Sequence, residues 1–116
     1  MPVHREVPVK VNARVDEGIA ELIAILNDFP SVQTLQSCQG EPGNGSEAYV
    51  FLTCGSWQST CEFLFGKLAP ALRDKIDEES LRLEVFGNVD PVGKIAFQPE
   101  SMVEITSEIK KLFQYP

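Results

Sequence analysis

The sequence predicts an α+β fold, a two-layer sandwich with the element order β-α-β-β-α-β-β-α. Three observations predict it. Apolar residues recur at helical spacing in three separated segments, around residues 19–26, 57–68 and 102–113. Short alternating or β-branched runs lie between them. Turn-forming residues, not long linkers, join the segments, and there is no internal repeat or low-complexity tract. The chain of 116 residues therefore forms one α+β domain, 1–116, because each half would be too small to bury a good core.

The elements follow in order. Val7-Pro8-Val9-Lys10-Val11 alternates and reads as a first strand, with Pro8 suited to an edge or a strand start. Asp16 is placed to cap the first helix, with Glu17 beside the positive end of its dipole. Ile19, Leu22, Ile23 and Leu26 form its buried stripe, and Pro30 closes it. Val32 to Cys38 is the second strand, and Gln39 to Ser46 is a glycine-rich loop. Ala48-Tyr49-Val50-Phe51-Leu52 is apolar on both faces, as a central strand is. Ser56 caps a second helix with the stripe Trp57, Cys61, Leu64, Phe65 and Leu68, leaving Phe63 off the stripe. Pro70 ends or kinks that helix, and Arg73 to Glu79 reads as a charged, solvated connector. Leu81, Leu83 and Val85 alternate with Arg82 and Glu84 in a half-exposed strand. The turn Asn88 to Gly93 returns the chain to the strand Ile95-Ala96-Phe97. Pro99 opens the last helix, whose buried face is Met102, Ile105, Ile109, Leu112 and Phe113.

Helices are expected on one face of a largely antiparallel sheet. Only the first β-α-β unit is expected to be parallel, with a right-handed crossover. The topology that fits is a ferredoxin-like split β-α-β core with an added hairpin and C-terminal helix.

Composition excludes several function classes. The formal net charge is −7, with 10 basic and 17 acidic residues, so nucleic acid is not an expected partner. No apolar stretch approaches the roughly 20 residues of a membrane helix, and no signal-peptide segment is present. Three cysteines without a secretion signal predict reduced thiols and a cytoplasmic location. Cys38 and Cys54 fall at opposite ends of a predicted hairpin, too far apart for a disulfide. The cysteine spacing does not suit zinc, and the single His, His4, is N-terminal; no metal site and no catalytic Cys-His or Ser-His-Asp set is expected.

One sheet edge collects chemistry. In a parallel β-α-β unit the turns leaving both strands share an edge, where ligands of open sheets bind. Arg14 and Asp16 leave the first strand; Ser37, Cys38, Gln39 and Gly40 leave the second. A ligand-binding site is expected there. Ser37 and the Gly40 region would supply hydrogen bonds and Arg14 would balance an anion, while Cys38 is packed and not catalytic. Gly40 is read first as a backbone necessity and Asp16 as a helix cap. Tyr49 and Phe51 lie on the strand face opposite Val50 and Leu52, and Phe86 and Arg82 extend that face. A cover for it is expected, which points to a homodimer through the sheet.

The helix carrying Leu22-Ile23 and Leu26-Asn27-Asp28-Phe29 leads into Val32-Gln33-Thr34-Leu35-Gln36-Ser37-Cys38-Gln39-Gly40. This stretch resembles the small, mostly uncharacterised Ser-Cys-x-Gly proteins of bacterial and phage type. It is more distantly similar to the N-terminal part of the tRNA wybutosine-synthesising methyltransferase family. There a helix with an Asn near its end, a Thr-containing strand and a Ser-Ser-Cys-Ser-Gly-Arg turn recur together. The resemblance covers about a quarter of the chain and implies an α+β fold with the turn at a functional edge. In the methyltransferases it also implies S-adenosylmethionine and tRNA. Gln36 and Glu41 replace the first Ser and the Arg of that turn, reversing charge where a phosphate would be held. The fold and the site location are carried over, and the activity is not. The expected function is binding of an unidentified small ligand or protein partner at the Ser37–Gly40 edge; enzymatic activity is left open, with binding the favoured reading, and no cofactor is assigned. The alternatives are an S-adenosylmethionine-dependent transferase at the same edge and an interaction protein that dimerises through its sheet face.

Overall fold

The structure is a computed structural model, and it describes residues 6–8, 14–41, 43, 46–87 and 89–113. The fold is α+β, built on a four-stranded antiparallel sheet. Its strands are β3 (Gln33–Cys38), β4 (Ala48–Thr53), β5 (Leu81–Phe86) and β6 (Val92–Phe97), in the spatial order β3-β4-β6-β5. A separate two-stranded ladder precedes it: β1 (Glu6–Pro8) pairs antiparallel with β2 (Arg14–Asp16).

That ladder corrects the expected topology. The described part of the first strand pairs locally, Glu6 opposite Asp16 and Pro8 opposite Arg14, and among the described residues it has no ladder with β3. Every described ladder is antiparallel, so the parallel β-α-β pairing of a ferredoxin-like core is not the pairing found. Val9, Lys10 and Val11, assigned to the first strand, lie outside the described residues.

The Asp16 side chain, assigned as the cap of the first helix, lies outside what the structure describes. A tight turn, Glu17–Ile19, intervenes before α1 (Ala20–Asp28), and the residue preceding α1 is Ile19, with no capping side chain. A remote residue answers one amide of this first turn: Gly18 N–H donates to Gln39 Oε1 at 2.7 Å. Ile19, Leu22, Ile23 and Leu26 are buried at the expected spacing. Phe29 is extended, at ψ 138°, as a residue before proline must be, and the helix stops there.

Asn27 fastens α1 to β3. Its Nδ2 donates to Ile23 O at 2.9 Å and to Thr34 Oγ1 at 2.8 Å, and its Oδ1 accepts from Thr34 N–H at 3.1 Å.

The second helical segment starts as expected: Ser56 Oγ accepts from Ser59 N–H at 3.0 Å and opens α2 (Trp57–Cys61). It then widens into a π-helical stretch, Glu62–Leu68, before α3 (Ala69–Ala71) and α4 (Arg73–Asp77). Pro70 does not end it. Ala69 N–H reaches back to Leu64 O, a five-residue bond, and Leu72 N–H bonds Leu68 O at 2.9 Å. Wide turns rotate the buried face away from the 3.6-residue stripe. Within that stretch Phe63, Leu64 and Leu68 are buried and Phe65 is 48% exposed; ahead of it, in α2, Thr60 is buried and Trp57 is 41% exposed.

The expected solvated connector contains α4, whose Ile76 packs on the core and whose Lys75 holds Glu104 and Glu78. The final helix α5 (Met102–Lys110) buries Ile105, Thr106 and Ile109; Phe113 beyond it is 45% exposed, with its ring 4.2 Å from Phe29.

The core lies between these helices and one sheet face. Ala48, Val50 and Leu52 of β4, Ile95 and Phe97 of β6 and Leu81 of β5 are buried in one cluster with the helix residues. Gly93 lets the second helical segment come close: a Cβ there would sit 2.7 Å from Leu64 Cδ1.

Candidate functional site

The predicted edge is partly assembled. β2, carrying Arg14 and Asp16, runs near β3 without joining its ladder. Two residues beyond Asp16, Gly18 meets the Gln39 side chain, so the β2 exit and the Ser37–Gly40 turn do converge. That contact engages the Gln39 carbonyl in holding the fold. Gly40 is buried at φ +69°, and a Cβ there would lie 2.7 Å from Pro99 Cγ and 2.9 Å from the Ala48 nitrogen. Its glycine is a steric necessity, as the sequence predicts.

The last two residues of β3 point to opposite faces. Ser37 stands opposite Val50 on the core face; Cys38 stands opposite Tyr49 on the other, and is half-buried, more open than a packed thiol. All three cysteines are free. Cys54, held between Thr53 and the Ser56 cap, is the buried one, and burial pushes its thiol up from the ordinary value.

The face that Cys38 shares is the one away from the helices. Register places its residues in rows across the sheet. Cys38, Tyr49, Ala96 and Arg82 form one row; Gln36, Phe51, Lys94 and Glu84 form the next; Val92 and Phe86 follow. A bulge between Thr34 and Gln36 turns Leu35 onto the same side, where it is 50% exposed. Leu35, Gln36, Phe51, Phe86 and Val92 enclose a shallow concavity of 440 Å3.

The aromatic rings touch. The Tyr49 and Phe51 centroids are 5.2 Å apart, and Phe51 meets Phe86 edge-on at 5.9 Å. Lys94 Nζ lies 5.7 Å from the Phe51 centroid and 6.0 Å from Tyr49, within cation–π range. Arg82 closes the Cys38 end by pairing with Glu47, with its other terminal nitrogen 3.7 Å from Glu84. An open face of an antiparallel sheet is ordinarily polar; here two of the three outward positions of β4, Tyr49 and Phe51, are aromatic, and the third is Thr53.

Tyr49, Phe51, Phe86 and Arg82 were legible as one face from strand alternation. Lys94 and Leu35 join that face in the structure. Lys94 alternates with Gly93 and Ile95 and was findable by the same parity; Leu35 was not, because the bulge breaks the parity. His4 lies outside the described residues, and among the described residues no cluster of His, Cys, Asp and Glu could hold a metal ion. No helix among them is long and apolar enough to cross a membrane. The face presents aromatic rings, an ammonium beside them and a guanidinium.

The chain matches no family model, no curated protein and no solved structure.

Proposed function

We propose that this chain is an interaction protein that binds a protein partner through the open sheet face, from Cys38 across Tyr49, Phe51 and Lys94 to Phe86. Helices form one layer, and the sheet's other side is the working surface. The observation that carries the reading is the contiguous ring cluster with an ammonium held over it. Aromatic side chains bring large contact area at small entropic cost, which is why they dominate interface hot spots. A lysine already fixed over rings loses less freedom on docking than a solvated one. Three free thiols suit a reducing, cytoplasmic setting for this role.

Site-specific photo-crosslinking in the source cells tests it. A benzophenone side chain replacing Phe86 is expected to give a defined adduct. The same group at Val103, 82% exposed on α5, is expected to give none. Equal adducts from both positions, or none from either, would overturn the reading.

The convergence of Gly18 with Gln39 favours a second reading, a small-ligand site at the Ser37–Gly40 turn. An S-adenosylmethionine-dependent transferase is the enzymatic form of it. Thermal shift against S-adenosylmethionine and a nucleotide panel separates the two. A turn site predicts stabilisation at about millimolar ligand that a Ser37→Ala variant loses; no shift removes it.

A further inference from the structure

The two edges of the four-stranded sheet are built differently. β3 carries the bulge at Leu35, a device that spoils an edge for pairing. β5 has no bulge, proline or glycine, and its ladder with β6 runs unbroken from Leu81 to Phe86. Among the described residues no strand pairs with its outer side. Its core-facing side chains are under-covered: Leu81 is buried, but Leu83 and Val85 are only half so. Beside it runs a largely apolar groove of 680 Å3, lined by Phe65, Ala69, Ile76, Leu81 and Leu83 and also by the charged Glu79, Arg82 and Glu84.

We propose that this edge pairs with β5 of a second copy of the chain, antiparallel and centred on Leu83. The register follows from parity and charge. Residues opposite each other in an antiparallel ladder must face the same side, so only every second register keeps Leu81, Leu83 and Val85 on the core side. Centred on Arg82 the ladder sets two guanidinium groups opposite each other, and centred on Glu84 it sets two carboxylates opposite each other. Centred on Leu83, it sets Arg82 against the second copy's Glu84, and the reverse, so both cross-strand pairs are opposite in charge. Arg82 keeps its own Glu47 meanwhile, because a guanidinium has five donors. Leu83 meets its own symmetry mate, Leu81 meets Val85, and the two grooves join across the two-fold axis. The result is an eight-stranded sheet with the two outer faces on one side. This dimer uses a strand edge and engages Arg82 and Glu84 at the border of the ring face, leaving Tyr49, Phe51 and Lys94 uncovered, so it stands apart from the proposed function.

The ladder is about 20 Å long, short of a standard interface, so a Kd on the order of micromolar is expected. Charge reversal tests it by sedimentation velocity, with far-UV circular dichroism to confirm folding. Both side chains are about half exposed, at 52% and 48%, so folding should survive. The unaltered chain is expected to reach twice its monomer mass at about 100 μM. Arg82→Glu alone and Glu84→Arg alone each set like charges opposite one another and should weaken dimerisation at least tenfold. The double exchange, and an equimolar mixture of the two single variants, should restore it. A chain that stays monomeric at millimolar concentration would overturn the proposal. So would a dimer indifferent to both single reversals, or one dissolved by Phe51→Thr instead.

Discussion

Asn27 commits both ends of its side-chain amide, to Thr34 on β3 and to its own helix at Ile23 O. The groups are part-buried, so removing the amide leaves the Thr34 hydroxyl and amide without their partner. Asn27→Ala is expected to lower unfolding free energy by about 1–3 kcal/mol, read from urea midpoints. A midpoint unchanged from the parent would show the clasp to be idle. The same contact gives physical content to an Asn and a Thr occurring together in a helix–strand unit: they hold the helix end to the strand that leads into the turn. Gly40 was legible beforehand as a glycine the backbone requires. Which atoms require it, Pro99 and the Ala48 nitrogen, was not, because they come from elements remote in sequence.

Among the elements, the one read least well was the second helix. The spacing of its apolar residues predicts a 3.6-residue period, and the π-helical turns carry a longer one, so Phe63 and Phe65 exchange places between core and solvent. The charged segment after it is exposed at Arg73, Asp74, Asp77, Glu78 and Glu79, as composition predicts, with Lys75 and Ile76 the exceptions. Lys75 ties α4 to Glu104 of α5. Glu104, together with Glu78, raises the Lys75 amine above its ordinary 10.5. A base raised by folding contributes stability fully below its unfolded value and loses it as pH climbs through the folded one. The difference in urea midpoint between the parent and Lys75→Met should therefore be present at about pH 9 and shrink by about pH 12. A difference constant across that range would remove Lys75 as its source.

At the scale of the whole molecule the sheet divides the chain into a packed side and an open one, and neighbouring residues of β4 report the division. Leu52 is fully buried and Phe51 half so. Leu52→Ala is expected to cost about 2–5 kcal/mol. Phe51→Thr, a β-branched residue on the open side, should cost about 1 kcal/mol or less by the same denaturation measurement. Similar costs at both positions would mean that the open face is covered in the isolated chain. The sequence by itself determined the α+β class, most helices and strands, and which aromatic residues share a face, because hydrophobic period and residue parity are local properties. Only the tertiary structure decided that β1 pairs with β2 and not with β3, that Gln39 answers Gly18, and that β5 ends the sheet as a regular edge. Those outcomes depend on which distant backbone groups satisfy one another's hydrogen bonds, a competition that no short stretch of sequence records.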